Sequence, residues 1–101
     1  MLDTKFELRM VDVKIKCLID EIDMDIDFTK NRLEMREKDL KEAEKEYEQE
    51  KVNKGTKFLS KIRYESLVDE SNEKIKELEG YKEKLNAIKA DLEKIEGDID
   101  E

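Results

Sequence analysis

The chain has 101 residues, half of them charged, with a net charge of -8, three glycines, and no proline, tryptophan or histidine. That profile belongs to long helices or coiled coil rather than to a mixed fold, and apolar residues that make up 37% and recur periodically argue against a disordered tract. No stretch approaches the ~20 uninterrupted apolar residues of a membrane span, and the acid excess would repel nucleic acid or an anionic membrane surface.

At the N-terminus, Met1-Leu2-Asp3-Thr4 has no basic head followed by an apolar block, so no signal peptide is expected. Thr4 and Glu7 have the spacing of a capping box and predict a helix start. From there Leu8, Ile15, Ile19, Ile22, Ile26, Leu33, Leu40, Ala43 and Tyr47 form one seam with spacings of three, four or seven. A second row with the same kind of spacing holds Phe6, Met10, Val13, Cys17, Met24, Phe28 and Met35. With the first seam at heptad positions a and d, the second falls on b, f and c, the far side of the helix. A helix that is hydrophobic on two faces is covered on two faces. The second row is therefore the candidate partner interface. Methionine suits an adaptable binding surface and aromatic residues anchor interfaces. A dimer mate, a fold-back of the chain or a different protein are its possible covers. The single cysteine, Cys17, cannot make an internal disulfide and points to a reducing, cytoplasmic compartment.

The segment Glu21 to Phe28 alternates apolar and acidic residues at every step, which is the strand pattern. A helix places Ile22 and Ile26 on the first seam and Met24 and Phe28 on the second, whereas a strand puts all four on one face. The flanking heptads continue in phase, which supports helix; the alternative is a break near Asp27 with Thr29 capping a new helix. Asp20, Glu21, Asp23, Asp25 and Asp27 form an acidic patch with no base among them. Asp23, Asp25, Asp27 and Glu34 resemble, in spacing, the calcium-binding loop of an EF-hand. Phe28 stands where that loop needs glycine for its sharp turn, and Lys30 where an apolar residue is usual. Calcium binding is a remote alternative, and no metal site is assigned.

Asn53-Lys54-Gly55-Thr56 is the clearest punctuation, with Gly55 as a helix terminator and Thr56 as the next N-cap. The expected organisation is one helical-hairpin domain over 1–101, with arm one at 4–52, the turn at 53–56 and arm two at 57–99. On arm two, Leu78, Tyr81, Leu85, Ile88, Leu92, Ile95 and Ile99 alternate spacings of three and four. Upstream, Leu67, Ser71, Ile75 and Leu78 are spaced four, four and three, a stutter that locally unwinds a supercoil. Folding the arms about Gly55 sets Tyr47 near Ile62, Leu33 near Ile75, Ile22 near Ile88, and Ile15 near Ile95. The expected fold class is thus all-α, two long antiparallel helices in a coiled-coil hairpin.

Lys54, Lys57, Lys61 and Arg63, beside Phe58 and Tyr64, oppose the dipole of a starting helix. Glu44, Glu46, Glu48 and Glu50 across the turn are expected to balance them. Catalysis has no histidine to use, Cys17 has no imidazole partner, and no glycine-rich phosphate loop occurs. The expectation is a non-enzymatic protein–protein interaction module, a scaffold, chaperone or inhibitor, whose partner includes itself as a homodimer, without cofactor, metal, direct nucleic-acid binding or membrane attachment. The alternative is an acidic, phage-type inhibitor whose carboxylates mimic backbone phosphates in a nucleic-acid-binding groove.

Overall fold

In the computed structural model, which describes residues 3–50 and 53–99, the chain forms two α-helices, α1 (Thr4–Gln49) and α2 (Lys54–Asp98). The expected all-α hairpin of two long antiparallel helices is what the structure holds; α2 begins at Lys54, so Lys54, Gly55 and Thr56 of the expected turn are helical. The expected end of arm one at 52 lies outside the described residues. The chain divides into two compact units, one made of residues 1–26 and 77–101 and the other of residues 27–76.

Both helices start one residue after an Asx residue, Asp3 or Asn53, which takes the place expected of a capping threonine. Asp3 caps α1: its Oδ1 accepts the Lys5 N–H at 2.9 Å and its carbonyl accepts the Glu7 N–H at 3.0 Å. Thr4 therefore sits inside the first turn instead of capping it. Asn53 opens α2, its carbonyl accepting the Thr56 and Lys57 N–H groups at 3.1 and 3.2 Å. Its φ of 62° lies in the left-handed region, which asparagine tolerates better than most residues. Gly55 and Thr56, expected as terminator and cap, are both in the first turn of α2. Asparagine meets the need for positive φ here without glycine.

The alternating segment Glu21 to Phe28 is helical, and α1 runs through Asp27 and Thr29 without a break. Ile22 and Ile26 point inward while Met24 and Phe28 are exposed, the arrangement that the in-phase flanking heptads require.

In the first unit, Leu8, Ile15, Ile19, Ile22 and Ile26 of α1 are buried or half-buried, as the first seam predicts. Asp12 occupies the seam position between Leu8 and Ile15, and it too is buried. Facing them on α2 are Leu78, Leu85, Leu92 and Ile99, again as expected. The alternate layer is corrected. Tyr81, Ile88 and Ile95 are about half exposed, and Lys82, Lys89 and Glu96, each one residue further on, take the inward positions. The leucines are seven apart and stay on the seam at either rotation, so charge decides the remainder. Glu96 accepts from Arg9 Nε at 2.7 Å, and Lys82 Nζ lies 2.6 Å from Asp23 Oδ1. Their aliphatic stems cover apolar surface while the charged heads reach the rim.

In the second unit, Leu33, Leu40, Ala43 and Tyr47 of α1 face inward, with Thr29 at the seam position before Leu33 and Arg36 at the one between Leu33 and Leu40. Leu67, Ser71 and Ile75 are inward on α2 at the stutter spacing. Ser71, only 2% exposed, leaves room for a guanidinium. Arg36 Nη1 donates to Ser71 Oγ at 2.6 Å and to the Leu67 carbonyl at 3.0 Å. The register near the turn is also corrected. Tyr47 packs on Phe58, with ring centroids 5.9 Å apart, one helical turn before Ile62. In the first unit the Arg9–Glu96 and Asp23–Lys82 pairs likewise displace the expected Ile15–Ile95 and Ile22–Ile88 layers by more than a turn.

Candidate functional site

On the first unit, the second apolar row of α1 points away from the seam. Phe6, Met10, Val13 and Met24 are between 46% and 71% exposed, and Cys17 is an exposed free thiol. Each lies on the outer side because the seam residues Leu8, Ile15, Ile19 and Ile22 fix the rotation of the helix about its axis. Two further apolar residues of α1, Val11 and Leu18, are exposed at 44% and 47% on the flank of the seam. Sequence reasoning passed them over because they continue neither row, although their spacing of seven was there to read.

On the second unit, Phe28 and Met35 are 62% and 68% exposed. The Arg32 guanidinium stands 4.8 Å from the centroid of the Phe28 ring and covers part of one face. At an exposed site such a contact contributes ~0.5–1 kcal/mol, so it orders the ring without removing it from solvent. All seven residues expected at the partner interface are thus accessible, five on the first unit and two on the second.

The acidic patch is less free than its sequence suggests. Asp20, Glu21 and Asp25 are exposed, but Asp23 is half-buried against Lys82. Asp27, exposed on the second unit, follows on the same helix. Because residues 23–34 are helical, Asp23, Asp27 and Glu34 are strung along one side of α1 over roughly 16 Å and Asp25 points the other way. A loop that wraps its oxygens round calcium is not what this segment forms.

The basic cluster at the start of α2 is balanced across the turn, as expected. Lys57 Nζ lies 3.0 Å from Glu46 Oε2, and the hydrogen bond to Glu46, then the charges of Glu46 and Glu50, raise its pKa. Lys54 and Lys61 set their ammonium groups 4.9 and 5.4 Å from the centroid of the Tyr47 ring. Lys61 also pairs loosely with Glu65 at 3.9 Å. The antiparallel turn explains the arrangement: it sets the acid-rich end of α1 beside the lysine-rich start of α2, and each offsets the other's unfavourable dipole charge.

A depression of about 240 Å³ in the second unit is lined by Asp39, Glu42, Ala43, Glu46, Ser60 and Tyr64. It is polar and open to water, and one of its carboxylates, Glu46, is the one that Lys57 holds.

No protein-family model, curated protein or solved structure matches the chain. The functional reading therefore stands on the surface itself. Among the described residues, no helix is long and apolar enough to cross a membrane. One feature that folding of the hairpin does not account for is the outer apolar row of α1.

Proposed function

We propose that this chain is a non-catalytic helical module that captures a protein partner through the outer face of α1. On the first unit the contact residues are Phe6, Met10, Val13, Cys17 and Met24, and Phe28 and Met35 on the second unit serve the same end. One observation carries the reading: these side chains are all exposed while the companion seam of the same helix is turned inward. Soluble chains seldom present a run of methionine, phenylalanine and valine to water without a cover for it.

The surface has the chemistry of an adaptable docking strip. Burying each Met, Phe or Val side chain contributes ~1.5–3 kcal/mol, and several together outweigh the cost of ordering two partners. Methionine lets the strip fit a partner whose apolar ridge is not a rigid match. The charged residues between the rows, Lys14, Lys16 and Glu21 among them, give the strip a polar border that keeps the uncaptured chain in solution. A partner with an amphipathic helix or an apolar groove meets these demands. A thiol within the strip suits a reducing compartment, where it stays unoxidised until it is covered.

The test uses the chain and its Met10→Glu/Met24→Glu variant as parallel baits in extract of the native host. Proteins retained by the first and lost by the second are then titrated against purified chain at low and high salt. The reading predicts at least one such protein, with affinity nearly indifferent to salt. Identical retention by both baits contradicts it. So does binding that collapses with salt or with Asp23→Asn/Asp25→Asn/Asp27→Asn, which is the behaviour of a phosphate mimic.

A further inference from the structure

We infer that a second copy of this chain docks on the first unit through a face distinct from the outer row of α1: the flank made by Val11 and Leu18 of α1 with Tyr81, Ile88 and Ile95 of α2. The ion pairs place these residues on one side. Arg9 and Asp23 border one flank of the α1 seam, and they reach Glu96 and Lys82, so those two fill the α2 positions on that flank. Tyr81, Ile88 and Ile95 each lie one residue earlier, about 100° round the helix, and turn to the opposite flank. Val11 and Leu18 border the α1 seam on that same opposite side.

All five are between 44% and 50% exposed. Together they leave on the order of 400 Å² of apolar surface in one strip, the size at which a patch on a monomer is often functional. A stable interface needs ~800 Å² per partner, so the borders of the strip must contribute as well.

Those borders identify the occupant. On α1 the residues beyond Val11 and Leu18 are Lys14 and Glu21; on α2 those beyond Ile88 and Ile95 are Lys84 and Asp91. Lys14 lies five residues after Arg9 and Asp91 five before Glu96, so the two are level across the pair. Glu21 lies two before Asp23 and Lys84 two after Lys82, so these are level too. At each level the two borders carry opposite signs. A two-fold axis parallel to the helices sets the α1 border of one copy against the α2 border of the other. Lys14 then meets the partner's Asp91, Glu21 meets the partner's Lys84, and symmetry repeats both pairs. At the next level Glu7 and Asp98 are both acidic, so the contact ends there. Tyr81 suits the strip: its hydroxyl donates to Glu77 at 2.9 Å, which keeps the polar end satisfied and leaves the ring free to pack.

The test is sedimentation of the full chain over a micromolar dilution series, with circular dichroism as the control for folding. A dimer that dissociates on dilution is expected, and Ile88→Glu should make it monomeric at unchanged helicity. Lys14→Glu alone, and Asp91→Lys alone, should each raise the dimer Kd about tenfold, since each removes a border pair twice. The combined Lys14→Glu/Asp91→Lys exchange should restore the Kd to within about threefold. A monomer at every concentration overturns the inference, as does failure of the exchange to restore the dimer. Loss of the dimer in Met10→Glu/Met24→Glu but not in Ile88→Glu also overturns it, because the copies would then meet on the outer row of α1. Partner capture by that row is read in a separate assay, so either proposal can fail without the other.

Discussion

The two units handle the same problem, a seam between antiparallel helices, in opposite ways. The second unit has a polar layer with its hydrogen bonds made: Arg36 donates to Ser71 and to the Leu67 carbonyl. The first unit also buries a polar group, Asp12, but its Oδ1 has no hydrogen-bond partner among the described residues, and Lys16 Nζ stands 3.4 Å from the other oxygen. Both units also place apolar residues outside: the first on the outer row of α1 and on the flank holding Tyr81, Ile88 and Ile95, the second at Phe28, Met35, Phe58, Leu59 and Ile62. A satisfied polar layer fixes a pairing from within. An unsatisfied one adds no such constraint and leaves the pairing to apolar contacts and to the ion pairs at the rim.

The largest expected effect comes from the seam of the first unit. Ile19→Glu with Leu85→Glu places two carboxylates where both side chains are half-buried, and the cost of about 3–5 kcal/mol should abolish the helical signal in circular dichroism. Removing the polar layer of the second unit comes next. Arg36→Ala leaves Ser71 and the Leu67 carbonyl without their donor, and should lower stability by about 1.5–3 kcal/mol in chemical denaturation. Asp12→Leu has the opposite sign. Replacing a buried carboxylate whose Oδ1 is unpartnered and whose Oδ2 has only the 3.4 Å pair with Lys16 by an apolar side chain should raise stability by about 1–2 kcal/mol. If Arg36→Ala and Asp12→Leu shift stability in the same direction, the contrast between the units fails.

The smallest effect is electrostatic and appears only at high pH. Hydrogen bonds to Glu46, Glu93 and Glu77 raise the pKa values of Lys57, Lys89 and Tyr81 respectively, and a more distant contribution to Lys89 comes from Asp12. Groups whose folded pKa is raised contribute fully below the unfolded value and lose that contribution as pH rises through the folded one. Melting temperature should therefore stay level from neutral pH to about 10 and decline above it. The decline should shrink in high salt, because all three contacts are solvent-exposed.

Much of this fold can be read in the sequence, and the parts that cannot share one cause. The first seam and the separate outer row follow from apolar spacing, which is a strong signal over helices this long, and the turn near residue 53 from its Asn-Lys-Gly-Thr punctuation. The rotation of α2 does not. Leu78, Leu85 and Leu92 accept either set of neighbours, and Lys82, Lys89 and Glu96 prevail over Tyr81, Ile88 and Ile95 through charges on the other helix. Periodicity on one chain segment carries no information about ions on another. The caps slip for a related reason: Asp3 and Thr4, or Asn53 and Thr56, are all competent cap residues, and only the backbone geometry selects between them. Ser71 is read in the α2 row from its spacing, and Arg36 has the same signal, since it interrupts the α1 seam at its proper place between Leu33 and Leu40. A polar interruption read as part of the seam would have exposed that layer.

The central claim is that α1 carries two apolar faces with different duties, one for folding and one for capture. The measurement that tests it most directly follows thermal unfolding and partner retention together in the Met10→Glu/Met24→Glu variant. The account predicts full helicity and a melting curve displaced by no more than the ~0.5 kcal/mol of an ordinary surface change, with partner retention lost. A variant that unfolds as Ile19→Glu/Leu85→Glu does, or that keeps its partners undiminished, would contradict it.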